Sequence, residues 1–185
     1  MNEHKAALFL DRDGVVNKNH GYVFKISEFE FFPEIFEICR IAQSLGMPIV
    51  IVTNQSGIGR GFFTETDFRI LTDWMISKFL SEQIEIDLVL HSPESPTENL
   101  SAPSRRKPSP AMILEAAEKL NLNLSKSVLI GDNESDMLAA ERAGMKYRIL
   151  INQRASNSVA SNVVKDHSEC LIEFNNVVSK CMELQ

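Results

Sequence analysis

A run of five apolar residues, Ala6-Ala7-Leu8-Phe9-Leu10, ends abruptly in Asp11-Arg12-Asp13-Gly14-Val15. So short a run reads as a buried strand, and it is tipped with two carboxylates separated by one residue. At the point where such a strand emerges, both acids can address one point in space, while the glycine behind them lets the backbone turn away. The arrangement suits a carboxylate nucleophile, a proton donor and a hard cation acting together.

Strand-like and helix-like segments then alternate, the pattern of a parallel sheet covered by helices on both faces. A helix near 34–45 carries Ile35, Ile38, Ile41, Ala42 and Leu45 on one face and stops at Gly46. Pro48 opens a strand over 49–52, and Ile49-Val50-Ile51-Val52 delivers Thr53-Asn54-Gln55-Ser56 to the same sheet edge as Asp11. Thr64 and Asp67 have the spacing of a capping box for a helix bearing Phe68, Leu71, Trp74, Met75 and Phe79 at helical intervals. A third strand near 86–90 precedes a proline-rich stretch to Lys107, read as a long loop and not a linker between domains. Ser109 and Pro110 are expected as cap and first position of a helix to about Leu120. Val128-Leu129-Ile130 forms the next strand, ending in Gly131-Asp132. A helix near 135–143 ending at Gly144, a strand near 147–151, a loop over Asn152–Asn162 and a closing helix around Leu171–Val178 complete the chain. The expectation is an α/β/α three-layer, Rossmann-like domain with a mainly parallel sheet, spanning 1–185 as a single unit.

The 185 residues, 44% hydrophobic, suffice for one core. A net charge of -6 with scattered basic residues argues against a nucleic-acid partner, though a locally basic pocket can still take a small anion. Cys39, Cys170 and Cys181 form no close-spaced pair and fit free thiols in a reducing compartment. No apolar stretch is long enough for a signal-peptide core or a membrane span, so a cytoplasmic location without membrane contact is expected.

In open α/β sheets ligands bind beyond the carboxyl ends of the strands, so Asp11 and Asp13, Thr53, Arg106-Lys107, and Asp132 with Asp136 can converge. Carboxylates, a lysine and a hydroxyl together suggest phosphoryl transfer to a carboxylate. Asp11 is the expected nucleophile. Near its ordinary pKa of about 3.9 it is ionised at neutral pH and repels a phosphate dianion. Mg2+ held by Asp11, the Asp13 main-chain carbonyl and Asp132 would remove that repulsion, with Lys107 and the Thr53 hydroxyl holding the other phosphoryl oxygens. Asp13 would protonate the leaving oxygen and later accept a proton from water. Asp136 either stiffens the metal site through hydrogen bonds or favours its helix N-terminus. Arg60 either reaches a substrate phosphate or is a solvated loop residue.

Phe9-Leu10-Asp11-Arg12-Asp13-Gly14, His20-Gly21-Tyr22-Val23, Val52-Thr53-Asn54-Gln55-Ser56-Gly57-Ile58, Arg106-Lys107-Pro108 and Gly131-Asp132 with Asp136 together resemble a haloacid dehalogenase (HAD) superfamily phosphatase. The resemblance covers roughly residues 6–151 and is to the subgroup of D,D-heptose 1,7-bisphosphate and histidinol-phosphate phosphatases. It implies the roles given above for Asp11, Asp13, Thr53, Lys107 and Asp132. It further implies that Asn133 adjoins metal and substrate, that Arg106 recognises the sugar or a second phosphate, and that Asn19, His20, Gly21, Tyr22, Asn54, Gln55 and Ser56 line the substrate pocket. The implied substrate is a phosphorylated sugar, a heptose bisphosphate on the route to nucleotide-activated heptose for surface polysaccharide.

The subgroup often carries a structural zinc on Cys-x-His and Cys-x-Cys, where this chain has Ser92, Glu94, Pro103 and Arg105. No zinc is therefore expected; His91 alone makes no site. Packing or prolines must order the loop over 91–105, if it is ordered. No large insertion follows the first or third strand, so the site is expected to lack a cap domain and to be open to a bulky substrate. Histidinol phosphate is the alternative substrate. A phospho-ligand-binding or receiver-like protein is the non-enzymatic alternative, disfavoured by Asp-x-Asp on the first strand. A single uncapped domain is expected to be monomeric.

Overall fold

The computed structural model of the chain describes residues 4–96, 104–152 and 157–183. Six strands, β1 (Leu8–Leu10), β2 (Ile49–Asn54), β3 (Leu88–Ser92), β4 (Val128–Gly131), β5 (Tyr147–Ile151) and β6 (Asn162–Val164), form one sheet in the order β3-β2-β1-β4-β5-β6. Every pairing is parallel. The connecting helices are α1 (Pro33–Ser44), α2 (Ser56–Gly59), α3 (Glu65–Ser81), α4 (Ala111–Leu120), α5 (Glu134–Arg142) and α6 (His167–Glu183).

Side chains alternate across the central strands and so divide the core in two. Leu8, Leu10, Ile49, Ile51, Val128 and Ile130 face one layer with α1, α3 and α6. Ala7, Phe9, Val50, Val52 and Leu129 face the other, with α4 and α5. Burial on both faces explains why these strands are apolar throughout instead of alternating.

Several boundaries differ from the sequence expectation, each for a local reason. The run over 6–10 pairs as a strand only from Leu8, because its neighbour at that level is Pro48, which accepts from the Leu8 amide but has no N–H to return. β2 continues through Thr53 and Asn54, which pair with His91 and Ser92, so β3 lies two residues later than predicted. Asp87, expected inside that strand, instead accepts from the Ile49 amide through its carboxylate at 2.8 Å. Pro110 is the N-cap of α4 and not its first residue, and the Ser109 hydroxyl accepts from the Ala111 amide at 3.3 Å. β6 was not foreseen: it begins at Asn162, the last residue of the expected loop, and Asn162–Val164 borrow their pairing from β5. The closing helix starts four residues earlier than Leu171. Residues 153–156 of the expected loop lie outside the described residues.

The predicted capping box at Thr64 is present. Its hydroxyl accepts from the Asp67 amide at 3.1 Å, and the Asp67 carboxylate accepts from the Thr64 amide at 2.8 Å. Residues 11–32, between β1 and α1, contain a single 3-10 turn at Ile26–Glu28 among short bridges, so nothing the size of a cap domain stands over β1. Phe31 and Phe36 pack on Phe79 of α3 at 5.5 and 5.2 Å between centroids, and Phe29 and Phe31 meet Trp74. This cluster pins the segment leading out of the β1 loop against the first helical layer. Phe79→Ala is expected to cost about 3–5 kcal/mol, read as a lower urea midpoint at unchanged m-value; a loss under about 1 kcal/mol would mean the cluster does not hold the layers together.

Candidate active site

The strand order reverses at the centre of the sheet: from β1 the chain adds β2 and β3 on one side, and β4 through β6 lie on the other. A crevice opens at such a switch point, beyond the carboxyl ends of the strands. Leu10 lies level with Ile130 on β4 and Ile51 on β2, and the Asp11 amide donates to the Ile130 carbonyl at 3.0 Å. Asp11 therefore leaves the ladder beside the residues that follow β4 and the last residues of β2. A cleft of about 300 Å3 lies there.

Lys107 forms the floor of the cleft. The residue is 3% exposed, and its ammonium donates to Asp11 Oδ1 at 2.8 Å and to the Val52 carbonyl at 2.8 Å, and lies 2.6 Å from Asp136 Oδ1. Burial alone would lower its pKa, but Asp11 and Asp136 outweigh that and raise it. The Lys107 main chain is bracketed by one side chain: Asn54 Oδ1 accepts from its amide at 3.0 Å and Asn54 Nδ2 donates to its carbonyl at 3.1 Å. Asn54 lines the cleft, yet its polar atoms are committed to placing Lys107.

The carboxylate oxygens of Asp11, Asp132 and Asp136 lie within 4.8 Å of one another. Burial raises Asp11 to about 7, against the pull of Lys107, and raises Asp132 to about 6, with Asp136 adding to the effect. The expectation of an ordinary, fully ionised Asp11 is thus corrected: desolvation and neighbouring acids disfavour its charge when no cation is bound. A cluster of hard oxygens carrying more negative charge than one lysine balances fits a divalent cation such as Mg2+. Two glycines make the close approach possible. At Gly14, with φ +91°, a Cβ would lie 2.0 Å from Asp132 Oδ2, and at Gly131 one would lie 2.5 Å from the Asp136 Cβ.

Asp13 stands at the side of the cleft and accepts from Arg12 Nη2 at 2.8 Å, Asn17 Nδ2 at 3.1 Å and Gln55 Nε2 at 2.9 Å. Gln55 Nε2 also donates to Thr53 Oγ1 at 2.8 Å, so the Thr53 proton is left to point elsewhere. Gln55 thereby ties Asp13 to Thr53.

The cleft brings together Asp11, Asp13, Asn19, Gly21, Tyr22, Thr53, Asn54, Gln55, Ser56, Arg106, Lys107, Asp132 and Asn133, all sequence candidates. His20 is not among the lining residues; it turns outward and meets Glu30 at 3.1 Å. Asn133 caps α5, accepting from the Ser135 amide at 3.1 Å. Asp136 takes the helix-end role, closing that capping box through the Asn133 amide, and also pairs with Lys107. His91 meets Glu65 at 3.0 Å. The sequence reading missed Asn17 and the support that Arg12 gives Asp13. Arg12 is 1% exposed and also donates to the Val23 carbonyl at 2.7 Å. An arginine between two acids in an otherwise apolar approach was the available signal.

A family model described as HAD-hydrolase-like matches residues 104–155. A D-glycero-alpha-D-manno-heptose-1,7-bisphosphate 7-phosphatase of Burkholderia mallei is 46% identical over 84% of this chain and 84% of its own length. One from Campylobacter jejuni is 44% identical over 91% and 95%. The Escherichia coli K12 D-glycero-beta-D-manno-heptose-1,7-bisphosphate 7-phosphatase is 38% identical over 78% of both. Among solved structures, a HAD-like phosphatase from Mesorhizobium loti superposes with TM-score 0.83 at 32% identity, over 96% of this chain and 88% of that one. The D,D-heptose 1,7-bisphosphate phosphatase of B. bronchiseptica, solved with magnesium and phosphate, superposes at 0.78 over 92% and 98%; at 24% identity that likeness speaks to the fold. The fold and the carboxylate–lysine cleft are those of a HAD-like hydrolase. Within that class, the chain belongs to the family of the heptose-1,7-bisphosphate 7-phosphatases.

Asp11 has a folded pKa above its unfolded value, so its ionisation weakens the metal-free fold as pH rises toward 7 and its protonation removes that penalty below. In chelator, Asp11→Asn is expected to melt a few degrees above wild type at pH 8, a gain on the order of 2 kcal/mol. The difference should narrow as pH falls below 7 and close only near pH 4, where Asp11 is protonated in the unfolded chain as well. A gap independent of pH would show that Asp11 is not a destabilising charge.

Proposed function

We propose that the protein is a Mg2+-dependent phosphoric monoester hydrolase that removes the 7-phosphate of D-glycero-D-manno-heptose 1,7-bisphosphate through an aspartyl phosphate on Asp11. The observation that carries the reading is Lys107, buried at the cleft floor 2.8 Å from Asp11, in a chain whose relatives named for this activity match it over most of their length. Mg2+, held by Asp11, the Asp13 main-chain carbonyl and Asp132, would supply the positive charge that lets a carboxylate approach a phosphate dianion.

The chain's own groups account for the steps. Asp11 Oδ attacks phosphorus as the bond to the sugar oxygen breaks, and Asp13 gives that oxygen a proton. Lys107 and the Thr53 hydroxyl, its oxygen already accepting from Gln55, donate to the phosphoryl oxygens. Asp13 then takes a proton from the water that attacks the aspartyl phosphate, which returns Asp11 and releases phosphate. Arg106, with Asn19, Tyr22 and Ser56 at the cleft mouth, addresses the rest of the sugar and its other phosphate. Supply of nucleotide-activated heptose for surface polysaccharide is the role this activity serves. A cytoplasmic monomer fits: sugar phosphates are kept inside the cell, no helix among the described residues is long and apolar enough to cross a membrane, and Cys39 and Cys170 are free and buried.

Phosphate release is to be measured with and without Mg2+ from the α and β anomers of the heptose bisphosphate and from histidinol phosphate. Mg2+-dependent turnover with a strong preference for one heptose anomer is expected, falling about 10^3-fold or more in Asp11→Asn. A preference for histidinol phosphate would move the substrate assignment. Release from every substrate no faster than with Asp11→Asn would overturn the catalytic reading.

A further inference from the structure

The stretch between β3 and Lys107 carries Arg106 to the cleft, and a half-buried carboxylate in it, that of Glu94, has no part in the chemistry above. Glu94 accepts through that carboxylate from the Ser104 hydroxyl, from the Arg105 amide at 2.8 Å and from the Arg106 amide at 3.2 Å. Its main chain is engaged as well: the Glu94 amide donates to Ser92 Oγ at 3.3 Å, and the Glu94 carbonyl accepts from Arg106 Nη1 at 3.2 Å. One residue therefore joins the start of the stretch to its end and touches both the backbone and the guanidinium of Arg106. The neighbouring Arg105 points the other way, pairing with Glu115 of α4 at 2.7 Å, so the clamp also decides which of two adjacent arginines faces the cleft. Burial opposes the charge on Glu94, but the Ser104 hydroxyl and the two amides hold its carboxyl below the usual range.

We propose that Glu94 is a positioning residue: by gathering Ser104, Arg105 and Arg106 around one carboxylate it holds the Arg106 guanidinium at the cleft, and discrimination in favour of a substrate with a second anionic group depends on it. The proposal rests on the phosphatase reading and on Arg106 meeting the part of the substrate that does not react. Glu94 and Arg105 stand at two positions where zinc ligands were expected to be missing; Pro103, a third, lies outside the described residues. A carboxylate receiving three donors does at this point what a bound cation would do, which is to fix a turn of chain by converging bonds.

Glu94→Gln preserves the volume but leaves one acceptor oxygen for three donors, and Glu94→Ala removes both. The quantity to read is kcat/KM for the heptose bisphosphate divided by kcat/KM for p-nitrophenyl phosphate, which has no second anionic group. Both variants are expected to lower that ratio about tenfold, mainly through KM for the bisphosphate. In an Arg106→Ala background the same changes are expected to alter the ratio less than about twofold, because Glu94 acts through Arg106. A further readout needs no substrate: amide hydrogen exchange at Arg105 and Arg106 should quicken in Glu94→Gln while the strands of the sheet keep their protection. An unchanged ratio, an equal loss on both substrates, effects additive with Arg106→Ala, or unaltered exchange at Arg105 and Arg106 would each overturn the proposal. If the wild type fails to turn over the heptose bisphosphate at all, the functional reading falls, and the exchange measurement alone decides whether Glu94 is the clamp.

Discussion

The ammonium of Lys107 between Asp11 and Asp136 is the contact on which the site depends. A buried lysine is costly unless its charge is matched and its protons are received, and here two carboxylates and the Val52 carbonyl do both. The pairing fixes where the end of β1 lies relative to the start of α5, and Asn54 fixes the other end by bracketing the Lys107 main chain. The end of β1, β2 and the helix α5 thus all contribute to placing one nitrogen. The balance is incomplete, since Asp132 adds a third carboxylate, and that surplus of negative charge is what the site holds in reserve for a cation and a phosphate.

Part of this was legible in the chain because it follows from local rules. The apolar run before Asp11, the run before Thr53 and the run before Asp132 each announce a buried strand with polar chemistry at its carboxyl end, and parallel topology does the rest. The Thr64–Asp67 capping box is equally local. Less visible were features that depend on partners distant in sequence. β6 is only three residues, too short a run to announce a strand by itself, and it exists as one because β5 offers an edge. Asn54 and Gln55 read as substrate contacts from their position, but both side-chain polar atoms of Asn54 are spent on Lys107, and the Gln55 amide nitrogen on Asp13 and Thr53. His20 reads as part of the pocket wall until Glu30, ten residues on, is seen to draw it outward.

The loop after β3 shows the same limit from the other side. Without cysteine and histidine ligands the sequence offers no reason for residues 104–106 to be held anywhere, and one acidic side chain in a proline-rich stretch does not stand out. Glu94 becomes meaningful only when the amides that converge on it are placed. Architecture is set by periodicity and can be read. The division of labour among polar side chains is set by geometry across strands and cannot.

The central claim is that Asp11 carries the phosphoryl group. Rapid quenching of the Mg2+-loaded protein during turnover, followed by borohydride reduction, converts an aspartyl phosphate into homoserine that peptide mass spectrometry can locate. The account predicts homoserine at position 11 and at no other aspartate. Its appearance at position 13 or 132, or its absence under conditions of steady phosphate release, would contradict it.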